Sequence, residues 1–463
     1  MRLVFINYIH PLYRHISAVR VSRFAEELAK RGHHVILLTK TLRDGDPGTK
    51  ISEVSEMIKI HDWSSPLHIE CAPAKMPGLQ RLREQKSSSR HKKLRVCYEY
   101  AFHGGMFYDW AMGVTPYGEI IAKTFRPAAT WGTFGNPDTL WVCRNISKQA
   151  SAAWCIDVKD NWERFVPPPF RRRLSRRLAA ADALTANSVF HGKIAERWIG
   201  RPFTTVYSGI DISEQRLRVT SRKSDDESRR AGLQEHGNVG AHDLSHGFRP
   251  NGQTLFIGGS IYNEDHFITL LDGITEWWRH HPAWQNRFMF SYAGCDGERV
   301  DRILSHRRVP FPYDIVAYQP HAVYDKCCRE AMANAYVSSP HTFHHKAIEL
   351  LGAGRPVLVI PGEHQETRDI AERIGGELLV CRTADDVATA MGRLTSDAVK
   401  MRRRFSDGIE RFSWDAQTDI LERALIEAVV NSSRNHVPKG LVVGASQSKN
   451  VNCIGGLHRS ASS

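Results

Sequence analysis

The first forty residues or so alternate short apolar runs with one stretch of helical periodicity. Residues 3–6 (LVFI) read as a buried strand. Val19, Val21, Phe24, Ala25, Leu28 and Ala29 then recur at helical spacing until Gly32 supplies a stop, and residues 34–39 (HVILLT) form a second apolar run. Strand, helix and strand in succession make a βαβ unit, which crosses over right-handed in a parallel sheet. The loop over residues 8–16 therefore lies at the carboxyl end of the first strand, where open α/β sheets place their ligands.

The alternation continues with a strand over 153–158 (AWCIDV), a basic helix over 170–181 (FRRRLSRRLAAA), a short strand over 183–187 and a helix over 189–198. After a gap it restarts with strands over 254–257, 288–293 and 315–318 and helices over 265–279 and 321–333. It then runs through a strand over 335–338, a helix over 346–352 and a strand over 356–360, with further helix and strand to residue 430. Two stretches break the pattern. Residues 80–94 (QRLREQKSSSRHKKL) carry many bases, one acid and a serine run, and read as an exposed loop or mobile insertion. Residues 213–252 are polar, charged and without a usable hydrophobic period. The pattern predicts an α/β protein of two doubly wound, Rossmann-like domains, one over 1–212 and one over 253–411, joined by a polar linker or insertion over 213–252. Residues 431–463 contain no acid and little apolar content, and are expected to be disordered.

Composition narrows the class. The 463 residues include 63 Lys and Arg against 50 Asp and Glu, a formal charge of +13, with 41% apolar and 24% charged residues. These fractions exclude fibrous, collagen-like and wholly disordered chains. The bases are not interleaved with exposed aromatics or a reader motif, so nucleic acid is not an expected partner. Nine scattered cysteines without a CxxC pair argue against a zinc or redox site and for a reduced cytoplasm. The apolar run at the N-terminus is too short for a signal or spanning segment. The absence of GxGxxG, Walker and GxSxG motifs weakens a dinucleotide reading and removes P-loop and α/β-hydrolase chemistry.

The chemistry concentrates in residues 338–361, SSPHTFHHKAIELLGAGRPVLVIP. Thr342 is placed to cap a helix that begins near Phe343. Its first turns would present backbone N–H groups and Lys346 to an anion, with Glu349 one turn later. An anion site beside a carboxylate suits the diphosphate and ribose of a nucleotide sugar. Each residue also has a plainer reading: Glu349 as a solvated partner of Arg355, and Lys346 as surface charge. His341, His344 and His345 have the spacing of metal ligands, but no carboxylate or cysteine completes the set, so neither a metal nor a cofactor is expected. The arginines over 171–177 form a charged face, or attract acidic lipid or a phosphorylated acceptor.

In this region the sequence resembles the glycosyltransferase family 4-like enzymes of GT-B fold, which transfer sugar from a nucleotide donor with retention of configuration. KAIELLGAGRPVLVIPG is similar to their donor-site helix, and the resemblance extends through AVRVSRFAEELAKRGHHVILLT, IDVKDNW, ADALTANS, VYSGIDIS, LFIGGSIYNEDHFITLLDGI and RFSWDAQ. It implies Gly259, Ser260, Lys346, Ala347 and Glu349 as the donor site. Asp160 would be the catalytic group on the acceptor side, or the cap of the following turn. Arg14, His15 and Ser17 would form an acceptor or phosphate loop, and residues 412–430 a helix crossing back to the first domain. The implied activity is transfer from a nucleoside diphosphate sugar to an acceptor hydroxyl in glycan or polysaccharide synthesis. A lipid-linked acceptor and weak membrane contact through the basic surface, at the inner face of the membrane, go with it. Three departures stand out: Arg14, His15, Ile16 and Ser17 replace the usual paired glycine, Asn263 to His266 replace the basic pair after the GGS turn, and His341 replaces the first of two glutamates. They keep open a non-catalytic scaffold binding a nucleotide sugar, or an epimerase or hydrolase.

Overall fold

The computed structural model describes residues 1–13, 15–84, 89–212, 253–316, 319, 321–339, 342–396 and 408–435. The predicted linker over 213–252 and most of the predicted disordered tail lie outside these residues.

The first lobe is built on seven strands: β1 (Arg2–Ile6), β2 (His34–Lys40), β3 (Leu67–Cys71), β4 (Ala129–Phe134), β5 (Ala153–Val158), β6 (Ala183–Ala186) and β7 (Thr204–Thr205). They pair in the order β3-β2-β1-β4-β5-β6-β7, every ladder parallel. In β4 and β5 every residue is buried. In β5 that burial on both faces gives a nearly continuous apolar run rather than an alternating one. The second lobe has six strands: β8 (Thr254–Gly258), β9 (Met289–Ala293), β10 (Tyr313–Val316), β11 (Ala333–Val337), β12 (Val357–Ile360) and β13 (Leu378–Val380). Their order is β10-β9-β8-β11-β12-β13, again all parallel.

One charged pair lies inside the first lobe. Arg20, on the helix Ile16–Lys30, donates from Nε and Nη2 to the two Asp157 oxygens of β5 at 3.0 and 2.8 Å. Both side chains are wholly excluded from solvent. Thr185 Oγ1 adds a third bond to Asp157 at 2.9 Å, and the guanidinium lies beside the rings of Phe24 and Trp131.

The last helix, Trp414–Asn435, belongs to the first lobe. Trp414, Leu421, Leu425 and Ala428 pack with Phe24 and Leu28 against one face of the sheet. It runs to Asn435, five residues beyond the expected end at 430. Where the chain returns to this lobe it lies beside the segment that left it: Ile210 and Ser413 form an isolated parallel bridge, and Ile210 N–H donates to Phe412 O at 2.8 Å. A side chain at Gly209 would sit 2.5 Å from the Trp414 Cα. Gly209→Ala is therefore expected to lower stability by about 1 to 3 kcal/mol, measured as a urea midpoint, because backbone rather than a flexible side chain must move.

The described residues within 80–94 are helical and not a loop. The helices Pro77–Glu84 and Ser89–Phe102 occupy most of that stretch. Leu79 and Tyr100 are buried, and Arg83 is held by Glu99 at 2.9 Å and Asp109 at 3.0 Å. Arg83, paired across helices, looked in sequence like solvated charge, whereas Arg81, Lys92 and Lys93 are exposed as expected. No helix among the described residues is long and apolar enough to cross a membrane.

Candidate functional site

The strand-end loops of the two lobes meet. From β5 come Lys159 and Asp160, whose side chains bond at 3.1 Å. The cap of the short helix that follows is Asn161, which accepts from Glu163 and Arg164 N–H at 3.0 and 3.2 Å. The capping role considered for Asp160 is thus filled by its neighbour, and the Asp160 carboxylate pairs with Lys159.

His191 reaches across. Its Nδ1 bonds Asn187 Oδ1 at 2.7 Å, and its Nε2 bonds Thr342 Oγ1 of the second lobe at 3.1 Å. Burial pulls the His191 pKa down to about 4, opposed by the charge of Asp160 and reinforced by Lys159, His344 and His364. Groups from both lobes therefore act on a single imidazole, which stays neutral at physiological pH. Thr342 is engaged here and is not a helix cap. The helix starts two residues beyond Phe343, as His345–Gly352, with His344 in the cap position and without a side-chain cap bond.

Around that helix start the second lobe is tightly bonded. His344 Nε2 accepts from Ser339 N–H at 3.1 Å, its Nδ1 faces the Glu363 carboxylate at 3.4 Å, and its ring packs against Tyr262 at 5.5 Å. Tyr336 OH also donates to Glu363. Lys346 Nζ donates to Gly258 O at 2.5 Å, next to the turn that follows β8. Gly259 takes φ +82° there, and a Cβ on it would sit 2.3 Å from Lys346 Nζ. A side chain at Gly259 would force the lysine tip to move, and the positive φ there itself favours glycine. Burial draws the Lys346 ammonium down to about 8, while Glu349, Cys328 and Asp296 pull the other way. Glu349 lies one turn after Lys346, with its carboxylate 3.7 Å from His345 Nε2.

The remaining expected residues fall as follows. Ser260 is exposed beside Gly259. Ala347 is buried in the core of the second lobe with Phe343, Ile348 and Leu350, so its side chain does not face the cleft. His15 is the N-cap of the first helix and accepts from Ser17 N–H at 3.1 Å, while Ser17 Oγ bonds Asn7 at 3.2 Å. These two hold the β1 loop to the helix it precedes. Arg14 and His341 lie outside the described residues.

Two features were missed in the sequence. Glu366 accepts from Val189 and Phe190 N–H at 2.7 and 2.8 Å and from Tyr207 OH at 2.7 Å. A carboxylate of the second lobe thus caps the helix Val189–Ile199 of the first, where the helix dipole favours negative charge. The other feature is a cluster of His10, His68 and Glu70, with ligand-type atoms within 4.8 Å of one another. Thr39 Oγ1 donates to Lys40 O, so it accepts the proton of His68 Nε2 at 2.8 Å. His10 Nδ1 accepts from Leu12 N–H at 3.0 Å, which leaves its proton on Nε2, 3.4 Å from Glu70. A metal would have to displace that proton, and the cluster is satisfied as a hydrogen-bonded group.

No protein-family model matches the sequence, and no curated protein is similar to it. Solved structures are. Sucrose-phosphate synthase from Thermosynechococcus elongatus superposes with a TM-score of 0.59 at 14% identity, over 93% of this chain and 99% of that one. The fold is GT-B. Anabaena HepE in complex with UDP-glucose gives a TM-score of 0.52 at 11% identity, covering 94% and 99% of the two chains. UDP-GlcNAc 2-epimerase from Neisseria meningitidis bound to UDP-GlcNAc gives 0.53 at 10% identity, covering 92% and 100%. Identities this low carry architecture and not activity.

Proposed function

We propose that this GT-B chain is a glycosyltransferase that moves a sugar from a nucleoside diphosphate sugar to an acceptor hydroxyl. The observation that carries the reading is the pair Lys346 and Glu349 on successive turns of one helix at the cleft, with Gly259 turned to leave space for the lysine. Lys346 would stabilise charge developing on the departing diphosphate, and Glu349 would accept hydrogen bonds from the ribose hydroxyls. Ser260 and the backbone around Gly259 and Ala347 complete the donor side. Asp160 would serve from the other lobe as the acceptor-side group, with His15 of the β1 loop near it and Arg14 and Ser17 as further candidates on that loop. Structural relatives captured with UDP-glucose and UDP-GlcNAc support a uridine nucleotide as the first donor class to try.

Retention of configuration, a role in glycan synthesis and a lipid-linked acceptor at a membrane face follow from the sequence resemblance and the basic helix Pro168–Leu178. The epimerase among the structural relatives supports a second reading, in which the same donor site alters the sugar without transferring it. Incubation with a panel of nucleotide sugars separates the two. Transfer predicts release of nucleoside diphosphate from one donor, accelerated by an acceptor. Epimerisation predicts a changed sugar still attached to its nucleotide. Binding without either change would leave a scaffold, and failure of the whole panel to bind would remove the donor site.

A further inference from the structure

We propose that the flank of the first lobe carries a second ligand site, for a soluble organic phosphate with a flat apolar body. The helices Ser89–Phe102, Tyr108–Thr124, Pro137–Ala150 and Pro168–Leu178 enclose a cavity of about 380 Å³ there. That volume falls in the range of small-molecule sites. Every lining residue belongs to the first lobe, so the cavity is separate from the cleft that holds Lys346 and Glu349.

Its walls are aromatic. Tyr100 and Phe170 lie 5.7 Å apart, and His103 stacks on Tyr108 at 4.8 Å. Trp141 lies 5.8 Å from the guanidinium carbon of Arg177. Rings in these orientations offer faces and edges to a planar group. Its charge is positive: Arg144, Arg173 and Arg177 line the cavity, and none of them is in an ion pair with a carboxylate among the described residues. The one carboxyl in the lining, Asp138, is engaged by Phe107 N–H at 2.7 Å, and burial lifts it to about 7. It therefore offsets little of the guanidinium charge. Planar forks with unused donors suit phosphate oxygens, and the rings behind them suit whatever apolar group carries the phosphate.

The basic helix divides its arginines by direction. Arg171 is used internally, donating from Nε to Val166 O at 2.8 Å. Arg172, Arg173, Arg176 and Arg177 are all exposed, but only Arg173 and Arg177 line the cavity. Position against the cavity, and not exposure, therefore separates Arg173 and Arg177 from Arg172 and Arg176.

The test uses the full chain with 1-naphthyl phosphate, 1-naphthol and inorganic phosphate, followed by calorimetry. The naphthyl phosphate is expected to bind saturably, about tenfold or more tighter than either fragment, since only it meets both rings and guanidiniums. Arg173→Glu with Arg177→Glu should weaken it by about tenfold or more, while Arg172→Glu with Arg176→Glu, an equal change of net charge on the same helix, should weaken it less than about threefold. Equal losses in the two double variants, or no saturable binding, would overturn the proposal. Displacement of the probe by UDP would also do so, because it would put the probe in the cleft.

Discussion

Arg20→Ala is expected to lower stability by about 3 to 5 kcal/mol, the largest effect of any single substitution considered, because it strands a buried carboxylate. Asp157 has no solvent access, and without Arg20 it keeps only the Thr185 hydroxyl as a side-chain donor. The pair joins the first helix to the middle of the sheet, so the loss should appear in the unfolding of the first lobe, followed by tryptophan fluorescence in urea. The double variant Arg20→Met with Asp157→Leu is the informative comparison. Replacing both charges by apolar groups of similar size removes the desolvation cost along with the attraction, so most of the stability should return. If the double variant is as unstable as the single one, the cost lies in packing against Phe24 and Trp131 and not in the orphaned charge.

A second large effect concerns pH. With burial holding Lys346 near 8, about nine-tenths of the free protein carries the ammonium at pH 7 and about one-tenth at pH 9. A diphosphate that binds the charged form should therefore lose roughly tenfold in affinity across that interval. Lys346→Met should bind weakly and show no such slope, and Glu349→Gln should be weaker by roughly ten- to a hundredfold with the slope moved to lower pH, because the Glu349 charge helps hold the ammonium's pKa up. Stability moves the other way. The folded pKa lies below that of the unfolded chain, so the unfolded state binds more protons between about 8 and 10.5, and this group makes the fold more stable as pH rises through that window. Nucleoside diphosphate affinity that stays flat in the native protein from pH 7 to 9 would detach Lys346 from the diphosphate.

How much of this could be read in the sequence depended on how far apart the partners were. AWCIDV and HVILLT announced buried strands because both faces of a parallel sheet are covered, leaving no polar alternation to confuse the reading. β4, with the sequence ATWGTF, escaped: its threonines and glycine are buried against Ser147 and Cys143 contacts that only the fold supplies. Lys346 and Glu349 stood out because one helical turn sets their relation locally. The His191 bond to Thr342 spans 151 residues and that of Glu366 to Val189 spans 177, and no local pattern encodes either. Asp160 and Asn161 show the finer limit. Sequence located a polar group after β5, but which neighbour capped the helix was settled by backbone geometry.

The bridge between Ile210 and Ser413 has a mechanical consequence. The chain passes from one lobe to the other and later returns, and beside the first lobe the outgoing and returning segments are bonded to each other. A body tethered at two points can turn freely only about the line through them, and two tethers pinned side by side shorten that line nearly to a pivot. Rotation of one lobe against the other about this bridge would displace each group in proportion to its distance from Ile210. Groups far from the pivot sweep the widest arc, whereas Trp414 and Gly209 hardly move. Thus a segment with no room for an added methyl at Gly209 is also the one about which the cleft would open.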